Sequence, residues 1–289
     1  DNLDGRRFAR EVRSYAGTGV SGVYTGGTTG EFYALDDATY EKSTRIACRE
    51  AHGIGVPVQI GVSALSTRTV KQRIRVAKKF KADAVQVAIP FWLELKDDEV
   101  RRFVIEIAEE AGTTPIVLYV TDRSKRKIGP ALYGRLAKEV PTFIGTKDTG
   151  LDVKGLKAIL RKAPDIAIFG GEDFYDKLPA GGKGGYCSVT GFNAPKIVEL
   201  YNLCAAGRLK EARSLSDAVH RFVHEALVPM VTRQGLWDSA IDRIQRVAGG
   251  GVVGVRCQSP YRSGTEKDVK RVIAWCRKNT PELLPPHLA

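Results

Sequence analysis

The sequence contains few cysteines and no long apolar run. Its five cysteines are odd in number and include no Cys-x-x-Cys pair, which favours reduced thiols in a cytoplasmic protein over a disulfide framework. No run of about 18 apolar residues occurs, so we expect no membrane-spanning segment and no membrane partner. The first residues lack the apolar core of a signal peptide. Because the chain opens on Asp1 rather than Met, we expect that an upstream segment is missing.

The composition is that of a folded protein with excess positive charge. Hydrophobic residues make up 43% and charged residues 27% of the 289, which excludes wholesale disorder. Lys and Arg number 45 against 33 Asp and Glu, a formal net charge of +12, which suits either nucleic acid or an anionic metabolite. The cations of the predicted helix 66–80 alternate with an apolar face and indicate a solvated helix surface. We therefore expect no nucleic-acid partner.

Short runs rich in Val, Ile and Phe alternate with longer amphipathic segments along most of the chain. Strands are predicted at 22–25, 56–62, 84–89, 116–120, 143–147, 166–169 and 185–189. Helices are predicted at 36–52, 66–80, 97–111, 130–138, 152–162, 173–179 and 195–206, and beyond these at 208–230, 235–247 and 266–278. Strands that alternate with helices form a parallel sheet with right-handed crossovers.

The strand count favours a closed barrel over an open sheet. Seven strands are predicted, and a helix at 6–16 comes before the first of them. One missing first strand would complete the eight of a (β/α)8 TIM barrel. The sequence thus predicts an α/β protein with a catalytic barrel over 1–207 and a C-terminal helical extension over 208–289.

Three signals for other chemistry are weaker. The Gly-x-Gly-x-x-Gly pattern at 17–22 comes before a predicted strand, whereas a dinucleotide-binding loop follows one. The glycine-rich loop 26–31 lacks the lysine of a P-loop. His220 and His224 lie four residues apart on a predicted helix, but no third ligand is evident, so we expect no metal site.

Lys147 and Tyr119 stand at the C-terminal ends of two neighbouring predicted strands, which is where barrel active sites lie. Removing an amine from water favours its neutral form, and the neutral amine attacks a ketone to form a Schiff base. The Tyr119 phenol could transfer the protons that this chemistry requires. The alternative for Lys147 is an ion pair with Asp148 or Glu172 at the barrel rim.

Two loops at the same end of the predicted barrel suit an anion. The loop 26–31 combines glycines with the adjacent hydroxyls of Thr28 and Thr29, and its backbone N–H groups and hydroxyls form a small site for a carboxylate or phosphate. The alternative is an ordinary strand-to-helix turn. The basic loop 123–127 directly follows the Tyr119 strand, so we expect it to attract an anionic substrate or, alternatively, only to add solubility.

These motifs resemble the dihydrodipicolinate synthase / N-acetylneuraminate lyase family of class I aldolases. The segment Gly-Thr-Thr-Gly-Glu at 27–31 matches the family's G-[ST]-T-G-E loop, and Thr-Lys-Asp-Thr-Gly at 146–150 matches the segment around its Schiff-base lysine. Tyr119 matches the tyrosine of the family's fifth strand. The pieces at 171–173 and 188–190 fit the ends of the last two strands. The resemblance extends from about residue 4 to about residue 260.

The resemblance implies a reaction and the residues that perform it. Lys147 would form the imine with pyruvate or another 2-keto acid, and Thr28 and Thr29 would hold the carboxylate of that acid. Thr28 would also pass protons to Tyr119. Members of the family need no metal and no organic cofactor, and most are homo-oligomers, so a tetramer or dimer is expected.

Further substrate-binding residues follow from the same resemblance. Gly27 would contribute to the carboxylate loop, and the backbone near Cys187 would line the opposite wall. Trp92 would shape the substrate pocket, and Arg123 matches the arginine that grips a second substrate once a one-residue gap is allowed. The family's tyrosine pair after the fourth strand is replaced here by Phe91 and Trp92.

Two functions remain open from sequence alone. The first is a lyase that acts on a keto acid or keto-sugar acid through a Lys147 imine, by retro-aldol cleavage, condensation or dehydration. In each reaction the protonated imine takes up the electrons of the carbanion at C3. The alternative is a catalytically altered barrel that serves as a ligand-binding or regulatory protein. The replacement of the family's tyrosine pair by Phe91 and Trp92 keeps this alternative open.

Overall fold

Seven parallel strands follow one another in the sheet in the same order as in the sequence. The computed structural model describes residues 3–288. Its strands are Val23–Thr25 (β1), Val58–Gly61 (β2), Ala84–Ala88 (β3), Ile116–Val120 (β4), Phe143–Asp148 (β5), Ala167–Gly170 (β6) and Gly184–Gly185 (β7). The helices before β7 are Gly5–Ala16 (α1), Asp37–His52 (α2), Thr67–Lys79 (α3), Asp97–Ala111 (α4), Pro130–Glu139 (α5), Val153–Leu160 (α6) and Phe174–Lys177 (α7).

The residues after β7 are mostly helical. These helices are Thr190–Ala205 (α8), Leu209–Arg221 (α9), a π-helical segment Phe222–Leu227, Val228–Gln234 (α10), Asp238–Ala248 (α11) and Glu266–Asn279 (α12). The predicted α/β class, a (β/α)8 TIM barrel with a C-terminal helical extension, is confirmed, with seven barrel strands in the described residues. Between residues 3 and 288 no helix is both long and apolar enough to cross a membrane. The domain boundary at 207 stays a prediction.

The described chain divides into two compact units. One, which we call the central unit, comprises residues 24–27 and 57–186, and the other, the terminal unit, comprises residues 3–23, 28–56 and 187–288. In the central unit, β4 is buried along its whole length. Such a continuous apolar strand is typical of a parallel sheet that is covered on both faces. In the terminal unit, the rings of Phe192 and Phe222 stack with their centroids 4.8 Å apart.

Side chains at several helix starts bind backbone N–H groups that would otherwise lack a partner. The Asp4 carboxylate accepts from the N–H groups of Arg6 and Arg7 at the start of α1. Ser66 and Asp152 cap α3 and α6 in the same way. Caps of this kind stabilise a helix by about 1 kcal/mol each, and they explain why these helices begin within one or two residues of the predicted positions.

The last predicted strand, 185–189, is wrong in its extent. β7 ends at Gly185, and the segment that follows turns into α8. The N–H of Gly191 donates to the Ser188 carbonyl at 2.9 Å, and that of Phe192 donates to the Val189 carbonyl at 2.9 Å. The sequence of this segment is typical of a strand. In the structure, however, the carbonyls of Ser188 and Val189 accept hydrogen bonds within the turn that begins α8.

The helical segment predicted at 208–230 is confirmed, although it is not one regular α-helix. The structure has α9, the π-helical segment Phe222–Leu227 and α10 in its place. Pro229 lies just after the π-helical segment. Proline has no N–H to donate, and its ring would clash with the carbonyl four residues earlier in a regular α-helix. The wider turn before Pro229 is consistent with that constraint.

Candidate active site

The amine of Lys147 and the ring of Tyr119 lie side by side in the central unit. β4 and β5 pair in parallel, and their register places Tyr119 opposite Lys147 near the C-terminal end of each strand. The Lys147 Nζ lies 4.5 Å from the centroid of the Tyr119 ring. Tyr119 is buried and Lys147 is half-buried. The neighbouring position expected from the sequence is confirmed, whereas the chemical role of the pair stays a prediction.

A second aromatic ring contacts the same amine. The centroid of the Tyr186 ring lies 5.2 Å from the Lys147 Nζ. The alternative ion pair of Lys147 with Asp148 or Glu172 stays a prediction. The face of an aromatic ring carries partial negative charge and attracts a cation. The Lys147 amine therefore lies against two aromatic rings.

The buried amide of Gln86 and the half-buried amide of Gln59 hold the Tyr186 side chain. The Tyr186 hydroxyl donates to Gln59 Oε1 at 2.6 Å, and Gln86 Nε2 donates to the same oxygen at 3.0 Å. The Tyr186 ring also makes edge contacts with the rings of Tyr24 and Phe169, at centroid distances of 5.5 Å and 5.4 Å. Burial raises the pKa of the Tyr186 phenol to about 12. The phenol is therefore a neutral hydrogen-bond donor at physiological pH.

Sequence reasoning missed this group of residues, although a signal was present. Gln59 and Gln86 interrupt the otherwise apolar runs of β2 and β3. A buried amide needs hydrogen-bond partners, so two glutamines on paired strands indicate a polar group inside the sheet. The sequence did not single out Tyr186 within the predicted strand 185–189. The alternation of apolar and polar residues in a strand does not show which side chain a buried amide contacts.

Asp148 ends β5 with a buried carboxyl group. Burial raises the pKa of this carboxyl above its usual value, against the opposing effects of a bond from Gly150 and of the Lys127 and Lys177 charges. The Gly150 N–H donates to Asp148 Oδ1 at 3.2 Å. The ionised form of Asp148 is therefore less well accommodated in the folded protein than in the unfolded chain.

We expect Asp148→Asn to raise the Tm at neutral pH. A raised folded-state pKa means that Asp148 contributes stability below its unfolded pKa and loses this contribution as the pH rises through the folded value. Asparagine cannot ionise, and it keeps an oxygen for the Gly150 N–H. The Tm advantage of the variant should shrink as the pH falls below about 4. Thermal unfolding of both proteins, followed by circular dichroism from pH 7 to below about 4, measures the difference in Tm.

The matched control is Asp122→Asn. The Asp122 carboxylate is exposed and pairs with Lys127 at 2.7 Å, and its hydrogen bond to Lys127 lowers its pKa. The sign is therefore opposite, since ionised Asp122 contributes stability above its unfolded pKa that is lost as the pH falls through the folded value. Asp122→Asn should not raise the Tm at pH 7. If Asp148→Asn also failed to raise the Tm at pH 7, the argument that burial disfavours the ionised Asp148 would be refuted.

Trp92 and Arg123 lie on the surface of the central unit. Trp92 is 72% exposed, and Arg123 is exposed in a short 3₁₀ turn that follows β4. Lys125 Nζ donates to the Trp92 carbonyl at 2.6 Å and lies 5.8 Å from the centroid of the Trp92 ring. The substrate-binding roles of Trp92 and Arg123 stay predictions.

The cations of the basic loop 123–127 bind neighbouring groups of the protein. Arg126 Nη1 donates to the Leu95 carbonyl at 2.6 Å, and the Arg126 guanidinium pairs with Asp97. Lys127 pairs with Asp122. These bonds reduce the net charge that the loop presents to solvent, so any attraction of an anion to this loop is weaker than its four positive charges imply.

The two glycines that begin the 26–31 loop are required by close contacts in the central unit. Gly26 has φ +77°, and a Cβ there would lie 2.8 Å from the Gly61 carbonyl oxygen. A Cβ on Gly27 would lie 2.5 Å from the Tyr24 ring. Both contacts are closer than side chains tolerate. Gly27, predicted to bind substrate, is buried, and its substrate-binding role stays a prediction.

Thr28 and Thr29 lie in the terminal unit, where α11 contacts them. The Thr28 carbonyl accepts from Ser239 Oγ at 3.1 Å, and Thr29 Oγ1 donates to the carboxylate of Asp242. A hydroxyl has one proton to donate. While this bond is formed, Thr29 therefore has only its backbone N–H to offer to a substrate carboxylate. The predicted roles of Thr28 and Thr29 remain proposals.

Glu31 ends the same loop as a buried carboxylate with two donors. It adopts the left-handed conformation with φ 57° and is 2% exposed. Arg243 Nη2 lies 2.5 Å from Glu31 Oε2, and the Gln258 N–H donates to Oε1 at 2.8 Å. Sequence reasoning missed these contacts. Ser239, Asp242 and Arg243 share one face of α11 through their three- and four-residue spacing, and that face holds the loop.

We expect Arg243→Ala to destabilise the fold by about 3 kcal/mol, because it leaves the buried Glu31 carboxylate without its charged partner. Urea unfolding followed by circular dichroism gives the free energy of unfolding. The matched control is Arg208→Ala, which breaks the pair of Arg208 and Glu211, each with a side chain 57% exposed. An exposed pair contributes about 0–1 kcal/mol. Equal losses in the two variants would contradict the prediction.

Cys187 begins the turn that leads from β7 to α8. It is a half-buried reduced cysteine, and its carbonyl accepts from the Thr190 hydroxyl. The backbone at Cys187 is therefore fixed by a local bond. It belongs to the terminal unit, and its predicted place in the wall of the substrate site stays a prediction.

The model of the dihydrodipicolinate synthetase family matches residues 1–270. The chain belongs to this family. The family comprises lyases and aldolases, and the resemblance predicted from residues 27–31, 119 and 146–150 is confirmed. The family predicted from these segments is therefore the family of this chain. The segments contain four of the predicted site residues: Lys147, Tyr119, Thr28 and Thr29.

Relatives and solved structures agree with this assignment. The 4-hydroxy-tetrahydrodipicolinate synthase of Thermodesulfovibrio yellowstonii is 31% identical over 218 residues, which cover 74% of this chain and 74% of that one. The structure of YagE, a prophage protein of the dihydrodipicolinic acid synthase family from E. coli K12 in complex with pyruvate, has a TM-score of 0.85 at 21% identity and covers 96% of this chain and 93% of its own. CdNal from Clostridium difficile, in complex with mannosamine, has a TM-score of 0.84 at 18% identity, with coverage of 96% and 93%. At these identities the two structures show the fold alone.

Proposed function

We propose that the protein is a lyase that forms a Schiff base between Lys147 and pyruvate or another 2-keto acid. The observation that carries the proposal is the Lys147 amine beside the Tyr119 phenol at the C-terminal ends of β4 and β5. Membership in a family of lyases and aldolases supports the general reaction class. The pyruvate complex of the structural relative YagE supports the choice of keto acid.

The proposed reaction begins when the neutral Lys147 amine adds to the keto carbon. Loss of water from the carbinolamine gives an iminium, whose positive nitrogen accepts the electron pair left at C3 when a C–C bond or a C–H bond breaks. The Tyr119 hydroxyl would carry protons to and from the reacting atoms. Retro-aldol cleavage, condensation and dehydration all pass through this iminium.

The remaining site residues keep the roles that the family resemblance implies. Thr28 and Thr29, together with Gly27, would bind the carboxylate of the keto acid. Cys187 would contribute backbone atoms to the substrate site. Trp92 would shape the substrate pocket, and Arg123 would bind the distal end of an anionic substrate. Assembly into a homo-oligomer of two or four chains stays a prediction.

Reductive trapping tests the proposal. The protein is incubated with a panel of 2-keto acids that includes pyruvate, in the presence of cyanoborohydride, and its intact mass is measured. The expected result is the addition of one reduced keto acid, which peptide mapping assigns to Lys147. No adduct with any keto acid, or an adduct on another lysine, would overturn the proposal. Tight binding of a keto acid without an adduct would instead support the ligand-binding alternative.

A further inference from the structure

Two tyrosine rings contact the Lys147 nitrogen, and only Tyr119 has a role in the proposed reaction. The second ring belongs to Tyr186, at 5.2 Å from Lys147 Nζ. We infer that the Tyr186 ring stabilises the iminium cation that forms on Lys147 and holds its nitrogen in place. This inference rests on the proposed Schiff-base function.

The charge on the nitrogen changes during imine formation. The Lys147 ammonium first gives up a proton, and its neutral amine adds to the keto carbon to form a neutral carbinolamine. The carbinolamine hydroxyl then takes up a proton and leaves as water, while the nitrogen lone pair forms the C=N bond. In total, R–NH₃⁺ and O=C give R–NH⁺=C and H₂O, so atoms and charge balance and no oxidant is needed.

The ring matters most at the step in which the positive charge returns. Loss of water converts a neutral nitrogen into a cation, and a cation near the face of an aromatic ring is stabilised. The transition state for water loss already carries part of this charge. A ring beside the nitrogen therefore lowers the barrier of this step relative to the neutral carbinolamine.

The Tyr186 ring is held where this role requires it. Its hydroxyl donates to Gln59 Oε1 at 2.6 Å, and Gln86 Nε2 donates to the same oxygen at 3.0 Å. The rings of Tyr24 and Phe169 form T-shaped contacts with it. A ring held by its hydroxyl and by two neighbouring rings needs little reorganisation when the charge forms nearby.

The test separates the ring from its hydroxyl. Tyr186→Leu removes the ring, and Tyr186→Phe keeps the ring but loses the bond to Gln59. If Tyr186→Leu fails to fold, Tyr186→Met serves as a second ring-free variant, because methionine adapts to irregular space. Phe143→Leu is the matched control, since it removes a buried ring from the start of β5, about 13 Å along the strand from Lys147.

Each variant is trapped with cyanoborohydride at increasing pyruvate concentrations. We expect the ring-free variant to trap about tenfold more slowly at saturating pyruvate, which corresponds to about 1.4 kcal/mol. The pyruvate concentration that gives half the limiting rate should stay nearly unchanged, because the carboxylate of pyruvate is proposed to bind elsewhere. Tyr186→Phe should trap within about twofold of the wild-type rate, since its ring still faces the cation. Phe143→Leu should trap at the wild-type rate.

Each possible result decides the inference. If the wild-type protein forms no adduct, the proposed function and this inference both fail. If it forms the adduct and the ring-free variant traps equally fast, the inference alone fails and the proposed function stands. Equal losses in Tyr186→Phe and the ring-free variant would assign the effect to the hydroxyl and overturn the role of the ring. Equal losses in Phe143→Leu would show a general effect of packing and overturn it as well.

Discussion

Replacement of Lys147 by arginine should abolish adduct formation with every 2-keto acid that labels the wild-type protein. Arginine keeps the positive charge and can still contact the rings of Tyr119 and Tyr186. Its guanidinium remains protonated at any pH at which the protein is folded, so it offers no lone pair to a keto carbon. The variant therefore removes the nucleophile while it preserves much of the local electrostatics. Intact mass after reductive trapping measures the outcome.

Lys177→Arg is the matched control for this variant. Lys177 is a buried lysine of the same unit, and its Nζ lies 2.6 Å from Asp173 Oδ2. Arginine can preserve that ion pair, so trapping should match the wild-type rate. An adduct that persisted in Lys147→Arg, or one that disappeared in Lys177→Arg, would place the reactive amine elsewhere.

The Tyr119→Phe variant should exchange the methyl protons of pyruvate with deuterium about 10²–10⁴ times more slowly than the wild-type protein, which is the usual contribution of a positioned acid or base. Exchange requires the iminium to lose and regain a proton at C3, so it needs only pyruvate and no second substrate. Phenylalanine keeps the ring beside Lys147 and removes only the hydroxyl. We therefore expect reductive trapping on Lys147 to persist. Mass spectrometry of pyruvate in D₂O follows the exchange.

Tyr133→Phe provides the comparison for the loss of a buried hydroxyl. The Tyr133 hydroxyl lies 3.0 Å from Thr146 Oγ1, and burial raises the pKa of this phenol. Its removal leaves Tyr119 intact, so exchange should continue at the wild-type rate. The Lys147→Arg protein gives the background rate of exchange. If Tyr119→Phe exchanged as fast as Tyr133→Phe, another group would be the proton carrier.

The β4–β5 part of the candidate site was predictable from the sequence because it depends on local patterns. β4 is an unbroken apolar run and β5 begins as one, and each carries a distinctive side chain near its C-terminal end, Tyr119 in β4 and Lys147 in β5. Consecutive strands of a βα unit usually pair side by side. Pairing in register then brings the two side chains together, as the structure confirms.

The remaining contacts depend on residues far apart in the sequence, which periodicity does not reveal. Tyr186 is hydrogen-bonded to Gln59, which lies 127 positions away in the sequence. Because β7 is only two residues long, its sequence pattern carried little information. Likewise, Thr29 meets Asp242 across 213 positions. Helical periodicity in α11 indicates which face is apolar, but it does not say which loop its polar residues contact.

The contact between α11 and the 28–31 loop joins two segments that are far apart in the sequence, so substitutions in one segment constrain those in the other. Glu31 and Arg243 neutralise one another while Glu31 is buried, so a descendant that lost either charge would keep an unpaired partner. Substitution of both residues together avoids the unpaired charge that a single substitution leaves. We therefore expect positions 31 and 243 to covary among homologues, and changes in α11 to alter the 28–31 loop without any substitution at Lys147 or Tyr119. Divergence in this family can thus begin in the last third of the chain.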